Sequence, residues 1–383
     1  MRLLTINAGS SNTKLALFET NGGALRRIGK AQASREGERW QLALAGEILE
    51  APAADDGAHA SLLEAIDRLW PLAGIDAIGH RVVHGGSRFR HPTRLDPRAV
   101  AALRELEPLA PMHQPANLAL VDAVSARLPA MAQVACLDTA FHASLPERTW
   151  RFALPHAVAG AGVRRYGFHG LSYESIRDQL QLHAPELARG RVVVAHLGAG
   201  CSACAMADGT SIDTSMGFSA LDGLPMATRC GALDPGVVLH LLQQQGMTVD
   251  AVHDMLYRES GLRGLSGISG DVRDLTASDD PRAAMALEVF EFRVAREIGA
   301  LAVSLGGLDG VVFTGGVGEH QPRIRQNICE QLGLFNACVD RAANERGDAR
   351  FDATGSGIAL WKLHTDEEAV IAGATQRVLA ERA

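Results

Sequence analysis

The sequence predicts a two-domain α/β protein built on a duplicated plan, and three observations carry that prediction. The chain has 383 residues, more than one hydrophobic core ordinarily supports. Two distant segments repeat the same pattern of strand, small-residue turn and returning strand. A third strand, near the C-terminal side, also ends in a cluster of glycines. A cleft between two such copies is the natural place for a ligand.

Taken in order, residues 2–7 form a β-like run, 8–13 a small-residue turn and 14–18 a second run. Residues 19–70 are less regular, with polar loops, an alanine-rich loop near 51–60 and a helix around 61–70. Residues 77–83 and 134–137 are apolar enough for buried strands, the first carrying Arg81 and the second ending at Asp138. The second hairpin runs through 191–197, a turn at 198–202 and a return at 203–206. A helix then opens with Asp280 as N-cap and Pro281 in its first turn. Its stripe of Leu287, Phe290, Val294, Ile298, Leu301 and Leu305 has a spacing of three or four, and Gly306-Gly307 ends it. The strand 310–314 follows, with a glycine turn over 315–320 at its C-terminal end, where α/β sheets bind ligands.

Composition narrows the function classes. With 47% hydrophobic and 21% charged residues the chain is globular. A net charge of -7 and scattered Lys and Arg give no nucleic-acid footprint. The N-terminus lacks a signal-peptide pattern, and the longest uncharged stretch, 192–207, is too short to span a membrane, so a cytoplasmic protein is expected. Six cysteines make no disulfide framework. Cys201 and Cys204 have a C-x-x-C spacing but no adjoining helix start or second ligand pair, and alternation puts Ser202, Cys204 and Met206 on one strand face.

The turn Asn7-Ala-Gly-Ser-Ser-Asn-Thr-Lys14 offers backbone N–H groups, the hydroxyl of Ser10 and the charge of Lys14 to a phosphate. It is not a P-loop, because the order of residues is wrong and no helix follows. Alone it reads more readily as a plain hairpin. Three glycine-rich turns at strand ends in one chain point to a nucleotide.

The architecture resembles the actin, sugar kinase and heat-shock chaperone superfamily, and the motifs resemble its acetate kinase branch. The strings are Ile6-Asn-Ala-Gly-Ser-Ser, Gly79-His-Arg-Val-Val-His-Gly-Gly, Ala110-Pro-Met-His-Gln-Pro-Ala-Asn, Leu137-Asp-Thr-Ala-Phe-His, Arg165-Tyr-Gly-Phe-His-Gly, Asp213-Thr-Ser-Met-Gly-Phe, Phe313-Thr-Gly-Gly-Val-Gly-Glu and Thr365-Asp-Glu-Glu. They follow family order from residue 6 to 368. The resemblance implies an actin-like ATPase fold with duplicated ribonuclease-H-like domains. The first would hold 1–140 plus about 369–383, the second 141–368. It also implies reversible transfer of phosphate from ATP to acetate, with Mg²⁺ as cofactor, Mn²⁺ as the alternative ion, and a homodimer.

Such a reaction brings two anions together, so cations and hydrogen-bond donors matter more than a nucleophile. The resemblance assigns Arg81 and Arg229 to substrate and transition state, Asp138 to a catalytic acid that positions an arginine, and His169 to the transferring phosphoryl. It gives the acceptor pocket Val83, Met112, His113, Phe168 and Pro225, and the metal Asn7 and Glu367. The nucleotide would meet Asn7, Ser10, Lys14, His196, Leu197, Gly198, Ala199, Gly200, Asp271, Val272, Arg273, Gly315, Gly316, Val317, Gly318 and His320. Four positions depart from family usage: Ala199 and His320 replace asparagines, and Cys201 and Cys230 replace residues that are typically serine. A propionate or other short-chain acid kinase, and a catalytically impaired nucleotide-binding protein of the same fold, stay open as alternatives.

Overall fold

The run of Leu3, Leu4, Thr5 and Ile6 forms β1 (Arg2–Ala8), the hub of the first sheet. Around it lie β2 (Asn12–Asn21), β3 (Ala24–Glu36), β4 (Arg39–Leu44), β5 (Glu47–Glu50), β6 (Ala77–Val82), β7 (Thr93–Arg94) and β8 (Ala132–Leu137). This computed structural model describes residues 1–9, 12–36, 39–44, 47–50, 58–160 and 162–381. Of the predicted alanine-rich loop, 51–57 lie outside the described residues; the helix after it is Ala58–Leu69.

The chain divides into two units, Met1–Phe141 with Asp366–Ala383, and His142–Thr365. The return to the first unit comes at Asp366 rather than near 369. There Asp366 caps the last helix, Glu367–Ala380, by accepting from the Ala369 amide at 3.1 Å. Glu367 and Glu368 therefore belong to the first unit.

In the first unit the strand order is β5-β4-β3-β2-β1-β6-β8-β7, with β1, β6 and β8 parallel and the hairpin strands antiparallel. Alternation sends Leu4 and Ile6 to one face, among Leu15, Leu17, Leu62, Ile66 and Ile78. Leu3 goes to the other, with Ala16, Phe18, Ala77 and Ala372 of the last helix.

The second sheet contains β9 (Arg191–Leu197), β10 (Cys201–Ala207), β11 (Thr210–Thr214), β12 (Gly310–Thr314) and β13 (Ala359–Lys362), in the order β11-β10-β9-β12-β13. It repeats the plan β3-β2-β1-β6-β8 of the first: three antiparallel strands, then two parallel additions. Residues 201–206 are all buried, so both faces of β10 are covered, and Cys201 and Cys204 are free thiols in the core. Burial pushes both thiols up to about 12. The long helix is Pro281–Leu305, capped by Asp280 and closed by Gly306 in the left-handed region. Residues 315–320, expected as a turn, form a short helix. Among the described residues, no helix is long and apolar enough to cross a membrane.

Candidate functional site

In the first unit, parallel β6 and β8 end side by side, pairing Arg81 with Cys136 and Val82 with Leu137. The Arg81 guanidinium comes up beside Asp138, the next residue after β8. Arg81 Nε donates to both carboxylate oxygens at 3.1 Å, and Nη2 donates to Oδ2 at 2.6 Å. The Asp138 side chain is 2% exposed and that of Arg81 15%. Burial pushes the Asp138 carboxyl up and Arg81 pulls it down. Burial opposes charge on Arg81 too, but Asp138, then Glu367, Asp138 hydrogen bonding and Glu368, outweigh it and raise its pKa. A guanidinium keeps its proton, so the pair is ionised at neutral pH.

Two amide side chains brace this strand end. Asn117 Oδ1 accepts from the Val83 amide at 3.1 Å while its Nδ2 donates to the Ala8 carbonyl at 3.2 Å. Gln114 accepts from the His84 amide and donates back to the His84 carbonyl, both at 3.0 Å. Val83 is thereby fixed and buried; Met112 is exposed and His113 half-buried in the segment before Gln114.

Asn7, 4% exposed at the end of β1, donates through Nδ2 to Glu367 Oε2 and to Glu368 Oε1, each at 2.8 Å. The side chains of Asn7, Glu367 and Glu368 carry hard oxygen donors. Among the described residues no group of three or more His, Cys, Asp or Glu is placed to hold a metal by itself. That sparse set suits Mg²⁺, which keeps waters and takes one or two carboxylates together with substrate phosphates. Lys14 is paired with Asn7 across the hairpin and is exposed. Ser10 lies outside the described residues.

In the second unit a histidine pair stands over the β9–β10 turn. His169 and His196 stack with ring centroids 4.3 Å apart. His169 Nδ1 is 2.8 Å from Ser202 Oγ, and His196 Nδ1 is 2.8 Å from Ser172 Oγ. His169 has φ 58°, in the left-handed region, just before the helix Gly170–His183. That conformation costs a non-glycine residue about 1–3 kcal/mol and is held where the surroundings over-determine it. Phe168 beside it is buried, and its carbonyl lies 3.0 Å from Nε2 of the buried His142.

The turn's backbone at Gly200 runs close to two side chains: a Cβ there would sit 2.8 Å from Arg229 Nη2 and 3.3 Å from His169 Nε2. The glycine thus brings the turn's backbone against both groups. Arg229 Nη1 donates to the Ala220 carbonyl at 2.6 Å. Ala199 presents a carbonyl to the Ala227 amide at 3.2 Å, and Gly270 packs closely against Ala227, where a Cβ would lie 2.6 Å from the Ala227 carbonyl. Asp271 follows, capping a short helix by accepting from the Arg273 amide and pairing with the Arg273 guanidinium at 2.6 Å; Val272 is buried. Pro225 lines a cavity of about 440 Å³ with Cys230, Met255 and Leu265.

The helix at 315–320 stands next to the same turn. Gly315 has φ 78°, and a Cβ on it would lie 2.7 Å from the Leu197 carbonyl; a Cβ on Gly198 would lie 3.9 Å from the Gly316 nitrogen. Glycine is required at 315 on both counts. Gly316, Val317 and Gly318 continue the helix, and His320 is largely exposed.

Three participants escaped the sequence reading. Glu368 shares Asn7 with Glu367 and is 5% exposed; the signal was the acidic run Asp366-Glu367-Glu368. Ser202 orients His169; its only signal was its place on the covered strand β10. Glu319 accepts from the Gly315 amide at 3.0 Å and pairs with His364. Burial pushes its carboxyl up, but His364 and the Thr365 and Gly315 amides hold it below its ordinary value. Nothing in residue spacing announces that contact.

Compared with known proteins, the chain matches the Acetokinase family over residues 2–373. It is similar to the acetate kinase of Rhodopseudomonas palustris (strain TIE-1), with 48% identity over 383 aligned residues covering 97% of this chain and 96% of that protein. Among solved structures it is similar to a propionate kinase from Francisella tularensis subsp. tularensis SCHU S4. The TM-score is 0.90 at 32% identity, covering 98% of this chain and 99% of that one. The acetate kinase of Porphyromonas gingivalis gives a TM-score of 0.88 at 32% identity, with 99% of each chain covered.

Proposed function

Because the chain belongs to the Acetokinase family, with the duplicated fold of actin-like ATPases, we propose that it transfers the γ-phosphoryl group of ATP to acetate, giving acetyl phosphate and ADP. The observation that carries this reading is the buried Arg81 fork, held by Asp138 at the strand end that also fixes Val83. An acetate carboxylate is already ionised at pH 7 and needs no general base. One of its oxygens forms the new bond to phosphorus while the bond from γ-phosphorus to the bridging oxygen of ADP breaks.

In this reading Arg81 binds the acceptor and Asp138 orients Arg81. Arg229 and His169 take up negative charge on the transferring group, with His113 and His196 as further pocket histidines. Val83, Met112, Phe168 and Pro225 are the apolar residues assigned to the methyl group. The backbone of Gly198, Ala199 and Gly200 and of Gly315, Gly316, Val317 and Gly318 meets the nucleotide, with Leu197, Asp271, Val272, Arg273, His320, Ser10 and Lys14 around it. Asn7 and Glu367, with Glu368 beside them, would hold Mg²⁺, which supplies charge neutralisation for the phosphates.

Two further assignments have physical support. Six free thiols suit a reducing cytoplasm. A homodimer would cover the apolar helix Pro235–Gln243, none of whose residues is buried.

Trapping the acyl phosphate with hydroxylamine tests the reaction. We expect hydroxamate from acetate with ATP and Mg²⁺, with weaker turnover of propionate, since one methylene is worth about 1–3 kcal/mol. A higher kcat/KM for propionate would move the assignment toward the Francisella tularensis relative's acid. ATP binding without hydroxamate from any short acid would mean that Ala199 and its neighbours have cost the chain its catalysis.

A further inference from the structure

We infer that Glu319 is a positioning residue that couples the nucleotide turn to the segment leading into the metal-binding acids. One carboxylate reaches both. Its Oε1 accepts from the Gly315 amide at 3.0 Å, from the Thr314 hydroxyl at 3.3 Å and from the Thr365 amide at 3.2 Å. Its Oε2 faces His364 Nδ1. Glu319 is 7% exposed, so these contacts replace water that it has lost. Thr365 is followed directly by Asp366, the cap of the last helix, and by Glu367.

Two further anchors of this segment reach partners other than the glycines. The Leu363 amide donates to the Phe313 carbonyl at 3.1 Å, and Gln179 Nε2 donates to the His364 carbonyl at 2.8 Å. The Thr365 hydroxyl is buried without a partner among the described residues. Among the described residues Glu319 is therefore a polar link from residues 364–365 to the start of the helix Gly315–His320. A shift of the Gly315 backbone drags on the same oxygen that holds Thr365. Loss of the carboxylate would leave the buried Gly315 amide and the half-buried Thr365 amide without this acceptor, and the two segments independent.

The inference rests on reading Gly315–Gly318 as part of the nucleotide site. Hydrogen exchange of the full chain, with and without ADP, separates the two. In the wild type ADP should slow exchange over 315–318 and also over 364–368. In Glu319→Ala it should still slow 315–318 but leave 364–368 unchanged, with KM for ATP raised about tenfold and KM for acetate changed less than twofold. Glu319→Gln keeps an acceptor oxygen for both amides and should restore the coupling. Glu319→Asp keeps the charge on a shorter arm and should not; this pair decides the matter if the alanine variant does not fold. ADP protection at 364–368 persisting in Glu319→Ala or Glu319→Asp overturns the coupling alone. So does faster exchange spread evenly over residues 142–365, which marks a plain folding role. Absence of protection at 315–318 in the wild type overturns the nucleotide reading and the coupling together.

Discussion

Replacing Arg81 removes a fork and strands a charge. The Asp138 carboxylate is almost fully buried and Arg81 is its cationic partner at 2.6 Å. Removing one partner of such a pair costs about 3–5 kcal/mol. Arg81→Ala should therefore lower the thermal midpoint and, by removing the fork that binds the acceptor, cut kcat/KM for acetate by about 10²–10³. Arg81→Lys keeps the charge but not the bidentate geometry, so it should recover stability more than rate. Steady-state kinetics beside thermal unfolding separate the two effects, and near-normal turnover in Arg81→Ala would contradict its assignment. Arg81 was legible because a cation in an apolar strand demands a buried anion, and Asp138 ends the neighbouring apolar run. The left-handed φ of His169 was not legible, since a histidine between phenylalanine and glycine has no sequence mark of strain.

At the scale of elements, the helix Pro235–Gln243 reads Pro-Gly-Val-Val-Leu-His-Leu-Leu-Gln and buries none of its residues. Leu239 is 53% exposed, and Leu233 and Leu265 are exposed nearby in sequence or across the cavity lining. Leu239→Glu should shift the sedimenting species from twice 40.6 kDa to a single chain. A wild type that already sediments as one chain would refute the dimer. Both hairpins were legible because continuous apolar runs flank small-residue turns, and the 281–305 helix because its stripe of about 3.6 spacing and its caps are clear. The helix at 315–320 was not, because each glycine costs a helix about 1 kcal/mol. Its first amide is instead satisfied by Glu319, a contact that depends on the chain folding back on itself. The pairing of Asn7 with Glu367 joins opposite ends of the chain and is invisible to any local pattern.

For the whole molecule, acid is the expected weakness. His80, His84 and His142 are buried, and burial pushes each down to about 4 from an ordinary 6.5. His84 Nδ1 accepts from the Gly86 amide, a bond only an unprotonated nitrogen makes. Between pH 6.5 and 4 the unfolded chain binds protons that the folded chain refuses, so stability falls as pH falls. By pH 5 each histidine should cost about 1–2 kcal/mol. Urea unfolding from pH 7 to 5 should show this slope, and a flat profile would contradict it. The last helix has a further consequence. It lies against β1 and β6, where Gly79 makes room for Ile371 and Thr375. On the ribosome those strands emerge well before their cover, which is made after the whole of residues 142–365. At about 5–20 residues per second, the nascent sheet waits on the order of tens of seconds with one oily side uncovered. The sheet of residues 1–141 thus completes its packing only after the whole second unit has been made.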